Sequence, residues 1–344
     1  MPPKPQYGDP ILSASETGGD IWRERLCAKA ILVADGAWGT QLARRGLKPG
    51  EPPELWNAER PEAVEAVAHA YIAAGADIIL TNTFGGNRFK LARSGLAART
   101  TELNRLGVEI SCRAAARQLR RRGGQQERGE RQVLVFASIG PTGEFAAPLG
   151  TRTQEELTDA FREQIRACLA GGANGLVIET MTALDEALAA LRAAREATTL
   201  PVVVSLTFTR GPKGLATIMG LRPEEAAREL DAAGADIIGA NCGTGSNDMV
   251  EIIRRLRSAT NRPLWAKPNA GVPKLVRGRT IFPETPTEMA GRVRALIMAG
   301  ANIIGGCCGT TPAHIRRIAA AAVRNRALAR RSTAGMLSDS EIIS

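Results

Sequence analysis

Ala74-Gly-Ala-Asp-Ile-Ile79 returns three more times along the chain with small changes, as Gly172-Ala-Asn-Gly-Leu-Val177, Ala233-Gly-Ala-Asp-Ile-Ile238 and Ala299-Gly-Ala-Asn-Ile-Ile304. Each copy follows a stretch rich in Ala, Leu, Glu and Arg and runs into a short apolar, β-rich segment. The glycine suits the residue just past a helix, where the chain turns into a strand. The phrases introduce strands at Asp77–Leu80, Gly175–Ile178, Asp236–Gly239 and Asn302–Gly305. Between them lie four similar runs, Ile31–Ala34, Val133–Phe136, Pro201–Val204 and Pro263–Ala266, the last two opened by a proline that fits the start of a strand. Such near-continuous apolar runs are those of parallel strands covered on both faces.

Eight strand–helix units in about 300 residues predict a (β/α)8 TIM barrel. The competing architecture, a doubly wound open sheet, also alternates strands and helices. No G-x-G-x-x-G follows the first strand, and the count of eight favours closure. The barrel is expected over residues 21–325, with flexible extensions at 1–20 and 326–344, which lack periodicity. Residues 117–132, RQLRRRGGQQERGERQ, read as a solvated loop before the third strand; as a nucleic-acid patch the segment has no aromatic residue for stacking.

Composition sets outer bounds. A hydrophobic fraction of 44% and a charged fraction of 23% exclude disorder, collagen and coiled coil for the whole chain. No run of about 18 apolar residues and no apolar N-terminal signal segment occur, so a cytoplasmic protein without a membrane span is expected. Six Cys are too sparse for a disulfide scaffold and imply reduced thiols. The net charge of +10 permits attraction to anions, nucleic acid included.

In a barrel of this kind chemistry sits where strands end and loops begin. The first strand ends at Asp35-Gly-Ala-Trp-Gly-Thr, the third at Ser138 and the fourth at Glu179-Thr. The sixth ends at Asn241-Cys-Gly, the seventh at Lys267-Pro-Asn269 and the eighth at Gly305-Gly-Cys-Cys-Gly. Cys242, Cys307 and Cys308 therefore converge at one end of the barrel, with Gly305, Gly306 and Gly309 expected to allow the sharp bend that turns adjacent thiols to one ion. Three thiolates without a fourth protein ligand describe an open tetrahedral zinc site, whose remaining position suits a substrate thiol. The alternative is three small apolar fillers. Asp35 and Glu179 are candidates to hold a ligand ammonium or to act as an acid–base pair; the alternative for each is a structural carboxylate accepting loop amides. Ser138 joins them as a candidate for substrate binding. The backbone of Gly36, Ala37 and Trp38 offers N–H groups for a carboxylate. His69 and His314 read as structural.

With these motifs, and with Thr81-Asn-Thr-Phe-Gly-Gly-Asn87 and Gly305-Gly-Cys-Cys-Gly-Thr-Thr-Pro312, the chain resembles the homocysteine S-methyltransferase family from about residue 25 to 325. Within it the chain looks most like the homocysteine-binding module of cobalamin-dependent methionine synthases. The resemblance implies catalytic zinc on Cys242, Cys307 and Cys308, the homocysteine ammonium on Asp35 and Glu179, its carboxylate on Gly36 to Trp38, and a pocket lined also by Asn241 and Asn269. It implies methyl transfer to the homocysteine thiol, giving methionine. Betaine-using relatives recognise the quaternary ammonium with tyrosines; Gly85 and Thr180 stand at two of those positions, and the chain has only Tyr7 and Tyr71. The expected donor is a methylcobalamin on a separate corrinoid protein, since folate, cobalamin and reactivation modules have no room here. S-methylmethionine or betaine is the alternative donor, and a basic zinc-stabilised nucleic-acid scaffold the alternative of another class.

Overall fold

The computed structural model describes residues 14–121, 133–212 and 214–333. Eight strands run parallel: β1 Leu32–Val33, β2 Ile78–Ile79, β3 Leu134–Ile139, β4 Gly175–Met181, β5 Val202–Leu206, β6 Ile237–Asn241, β7 Leu264–Lys267 and β8 Ala301–Ile304. Their order is β1-β8-β7-β6-β5-β4-β3-β2. The seam between β1 and β2 closes through a parallel bridge from Ala34 to Ile78. Asp35 N donates to Ile78 O at 3.0 Å and Asp77 N to Val33 O at 2.7 Å across the same seam. This is the expected (β/α)8 barrel, and the open sheet is excluded.

The repeated phrase has a structural meaning in each residue. Gly75, Gly172, Gly234 and Gly300 all adopt the left-handed conformation, with φ of 100°, 91°, 85° and 105°, just beyond a helix. Two residues later an Asp or Asn accepts an N–H from the first or second residue of the preceding odd strand. Asp77 takes Val33 N at 3.0 Å, Asn174 takes Val135 N at 2.9 Å, Asp236 takes Val202 N at 2.9 Å and Asn302 takes Leu264 N at 2.9 Å. Backbone donors at the barrel's lower rim are thus satisfied by four equivalent side chains.

Along each strand the side chains alternate between two cores. Leu134, Phe136, Val177, Val203, Ile237, Trp265 and Ile303 fill the barrel interior. Val135, Ala137, Ile178, Val204, Ile238, Ala266 and Ile304 face the surrounding helices. Helix Ala14–Lys29 begins inside the N-terminal stretch expected as an extension, and its Trp22 and Leu26 join the interior cluster, closing the lower end of the barrel. Helix Arg326–Thr333 likewise begins inside the expected tail; residues 1–13 and 334–344 lie outside the described residues. The basic stretch at 117–132 is not loop from its start. Helix Thr100–Arg121 carries its first residues, and Arg117 Nη1 bonds Glu65 Oε1 at 2.6 Å; residues 122–132 lie outside the described residues. The helix before β8 is two, Pro286–Gly291 and Val293–Met298, divided next to a glycine, a poor helix former.

The rim bonds predict a stability difference. Asn302→Ala leaves the buried Leu264 N–H unpaired and should cost about 1–3 kcal/mol, seen as a lower denaturant midpoint. Asp236→Asn keeps an acceptor for Val202 N and loses a partly exposed ion pair to Arg195, costing under about 1 kcal/mol. Equal losses in the two variants would show that the rim bonds do not set stability.

Candidate functional site

The interior series continues upward by the same period of two, and its last members are polar. Phe136 is followed by Ser138, Val177 by Glu179, Val203 by Ser205 and Trp265 by Lys267; Ile237 leads through Gly239 to Asn241. These residues form the floor of a pit at the C-terminal mouth, and all are buried. A (β/α)8 barrel places its chemistry at this end.

Three thiols stand over this floor. The Sγ atoms of Cys242, Cys307 and Cys308 all lie within 4.8 Å of one another, with Cys242 and Cys308 3.9 Å apart. Among the described residues this is the one cluster of three or more potential metal-ligating side chains. Tetrahedral zinc at the usual zinc–sulfur length places its sulfurs about 3.8 Å apart. The donor set therefore fits a soft cation with one open position. Cys242 sits in the left-handed region at φ 59°, beyond the end of β6. Gly305 and Gly306 serve by space rather than by unusual dihedrals: a Cβ on Gly305 would lie 2.7 Å from Asp35 O, and one on Gly306 2.5 Å from Thr310 Cγ2. Thr310 ties the loop down, its hydroxyl donating to Cys307 O at 2.7 Å and accepting Ala37 N at 3.1 Å.

The thiols shape one another's acidity. Contact with Cys307 and Cys308 pulls the Cys242 thiol down to about 3, while contact with Cys242 pushes Cys308 up to about 12 and Cys307 well above the usual thiol. One thiolate is favoured and three are not. A bound cation removes that penalty. Cys112 and Cys168 behave as packing thiols: burial pushes Cys112 up to about 11 and Cys168 to about 12. All six are free.

The two strand-end carboxylates are not equivalent. Asp35 is fully buried and accepts three donors, Lys267 Nζ on Oδ1 at 2.6 Å and Trp38 Nε1 and Leu80 N on Oδ2, each at 2.7 Å. These bonds are of the kind the structural-carboxylate alternative expects. Glu179 has capacity left: Oε1 accepts the Ser138 hydroxyl at 2.5 Å, and Oε2 has a long 3.5 Å contact from Asn241 Nδ2. Burial pushes the Glu179 carboxyl above the usual carboxylate range, against the pull of the Lys267 ammonium and Ser138. A bulge turns Glu179 and Thr180 out of the regular ladder, since Ile178 pairs Val204 whereas Met181 pairs Leu206. Thr180 takes the left-handed φ of 62° that this requires.

Asn241 connects the carboxylate to the thiols. Its Oδ1 accepts Ser205 Oγ at 2.7 Å and Thr180 N at 2.9 Å, which fixes the amide so that Nδ2 faces Thr180 Oγ1 at 2.7 Å, Glu179 Oε2 and, at 3.7 Å, Cys307 Sγ. Asn269 is buried beside Cys242, helps to pull the pKa of that thiol down, and its Oδ1 has no partner among the described residues. Of the loop amides expected to receive a carboxylate, Ala37 N is already given to Thr310. His69 pairs with Glu65 at 3.4 Å, and His314 closes the N-terminal cap of helix Pro312–Arg324, so both are structural. Lys267, Ser205 and Thr310 are the site residues that motif reading passed over. The signal for the first two was the continued interior period.

Fold and site together define a (β/α)8 barrel with a candidate thiolate metal centre at its mouth. A family model described as homocysteine S-methyltransferase matches residues 32–322, and the chain belongs to that family. Methionine synthase from Mycobacterium tuberculosis (strain ATCC 25618 / H37Rv) is 35% identical over 311 residues, 86% of this chain and 25% of that protein. The methionine synthase of Mycobacterium leprae (strain TN) is 34% identical over 312 residues, with the same coverage of 86% and 25%. The chain thus spans about a quarter of the length of these relatives. The homocysteine methyltransferase MmuM of Escherichia coli, solved in a metallated form, superposes with a TM-score of 0.72 at 26% identity over 87% of this chain and 99% of that one.

If the three thiols are metal ligands, Cys307→Ala should lower bound zinc from about one per chain to near none, with the far-ultraviolet circular dichroism unchanged. Cys112→Ala should keep the metal. Full zinc retention by the Cys307 variant would disprove the assignment.

Proposed function

We propose that this barrel transfers a methyl group to the thiol of homocysteine, giving methionine, with zinc on Cys242, Cys307 and Cys308. The observation that carries the reading is that one amide nitrogen, Asn241 Nδ2, contacts both the Glu179 carboxylate and the Cys307 thiol. Ammonium-binding and sulfur-binding positions are then only two contacts apart, a span that the two-methylene arm of homocysteine covers. A zinc ion at the thiols would supply Lewis-acid stabilisation of the acceptor thiolate at neutral pH. Glu179, held by Ser138, receives the ammonium, and the amides of Gly36 and Trp38 receive the carboxylate. The acceptor is thereby oriented for in-line attack, in which the sulfur–methyl bond forms as the donor–methyl bond breaks. No acid–base step at the methyl carbon is needed. Asp35 orients the site through Lys267 and Trp38 rather than by touching the ligand.

For the donor, the reading is a methyl-corrinoid held on protein. The 34–35% identity to methionine synthases supports it. So does the site's lack of space and freedom at the two positions where betaine-using relatives place tyrosines. A Cβ at Gly85 would already lie 3.0 Å from Glu54 Oε1, and the Thr180 side chain is engaged by Asn241. Tyr71 is fully buried and donates to Ala37 O at 2.9 Å, beneath the first loop. The mouth also carries exposed apolar side chains on several loops, among them Phe84, Phe145, Leu149, Ile218 and Leu275, as expected where a macromolecule docks. No described helix is long and apolar enough to cross a membrane.

The test offers zinc-loaded protein homocysteine with methylcobalamin, S-methylmethionine or betaine and measures methionine. Turnover with methylcobalamin alone is expected; turnover with either onium donor would overturn the donor assignment. In parallel, Glu179→Ala should weaken homocysteine binding by about tenfold or more. Unchanged affinity would remove Glu179 from ammonium recognition.

A further inference from the structure

We propose that Lys267 is a specificity-determining residue that sets the charge preference of the acceptor pit. This inference rests on the acceptor reading above. The floor holds two carboxylates, Asp35 and Glu179, and one ammonium. Lys267 is 2% exposed and Asp35 fully buried, so their charges meet without solvent between them. Nζ donates to Asp35 Oδ1 at 2.6 Å, and the Trp265 ring lies below it, 5.5 Å from Nζ to the centroid. Oδ2 is occupied by Trp38 and Leu80, so the Asp35 charge is met by Lys267 on its other oxygen. The second carboxylate has one oxygen engaged by Ser138 and the other only by the long contact from Asn241. A pit floored by two acids and one ammonium accordingly presents a net single negative charge, which one ligand ammonium balances.

Were Lys267 neutral, Asp35 would add a second uncompensated charge beside the first. A ligand ammonium would then be held more strongly, and a ligand carboxylate repelled. Were Asp35 neutral instead, Lys267 would be left unbalanced, and the preference would move the other way. Opposite shifts from the two halves of one ion pair are the signature of charge selection. A residue that only fills the barrel would weaken all ligands alike.

Binding of two thiols to the zinc-loaded protein, measured by calorimetry without any methyl donor, reads this directly. The first, 3-aminopropane-1-thiol, carries only the ammonium, and 4-sulfanylbutanoate carries only the carboxylate. Because both present the same sulfur, the metal contribution cancels in their affinity ratio. Lys267→Met should shift that ratio by about tenfold or more toward the aminothiol, Asp35→Asn should shift it toward the acid, and Lys267→Arg should restore the unaltered value. If the Met variant does not fold, the opposite-signed Asp35→Asn shift carries the test. Parallel losses for both ligands, or shifts of the same sign in the two variants, would overturn the proposal. Binding of neither thiol by the unaltered protein would overturn the acceptor reading, and this proposal with it.

Discussion

The bonds of Asp35 hold the mouth of this barrel together. Its backbone N–H crosses the β1–β2 seam to Ile78, its carbonyl accepts Gly306 N from the thiol-bearing loop, and its carboxylate gathers Lys267, Trp38 and Leu80. One residue thereby links the first, second, seventh and eighth strand ends. Burying a carboxylate and an ammonium is costly, and their mutual attraction repays it only where the remaining hydrogen-bonding capacity is also met. Asp35 meets that condition, because three donors reach its two oxygens. The arrangement favours definite geometry over maximal stability, which suits an element that must hold the loop after β1 against Thr310 and Cys307.

The same economy runs through the rest of the floor. Ser205 and Thr180 fix the Asn241 amide, Asn241 faces Glu179 and Cys307, and Ser138 fixes Glu179. Glu179 and Asn241 are thus each aimed by a neighbouring serine hydroxyl of the same floor. This suits the proposed methyl transfer, where the reacting centre offers the protein no proton to move and positioning carries most of the catalytic burden.

Much of this was legible in the sequence because barrel folding is periodic. The Gly-Ala-Asp/Asn phrase marked the turn into each even strand, and its acid or amide proved to be the rim acceptor. The thiols were legible for a related reason: Cys242 and Cys307-Cys308 follow strands whose ends the apolar runs had already located. Less regular features were not. The bulge at Glu179–Thr180 and the left-handed Cys242 arise from local backbone departures that no residue pattern announces, since Thr and Cys have no preference for positive φ. The pairing of Asp35 with Lys267 was hidden too, because the two lie 232 residues apart in sequence and only barrel closure brings them together. Helices Ala14–Lys29 and Arg326–Thr333 begin within the stretches expected as extensions, while Trp22 and Leu26, inside the expected barrel, cover its apolar lower end.

The three thiols show how fold and chemistry constrain each other. Crowded within 4.8 Å, they favour one negative charge among them and resist a second. Packing alone gives no reason to gather thiols whose acidities conflict in this way, since Cys112 and Cys168 demonstrate how quietly a packing cysteine sits. The conflict disappears when a dication shares the site, because each thiolate then faces positive charge instead of its neighbours. The backbone is already set for that outcome: Cys307 N bonds Pro268 O, Ala270 N bonds Cys308 O, and Cys242 N bonds Lys267 O, so the loop carrying Cys307 and Cys308 and the end of β6 are both tied to the seventh strand and its loop. A ligand set held by backbone bonds, not by the ion, loses little order when the fourth position changes occupant. That is the property a site needs if acceptor and product sulfurs are to exchange there in every turnover.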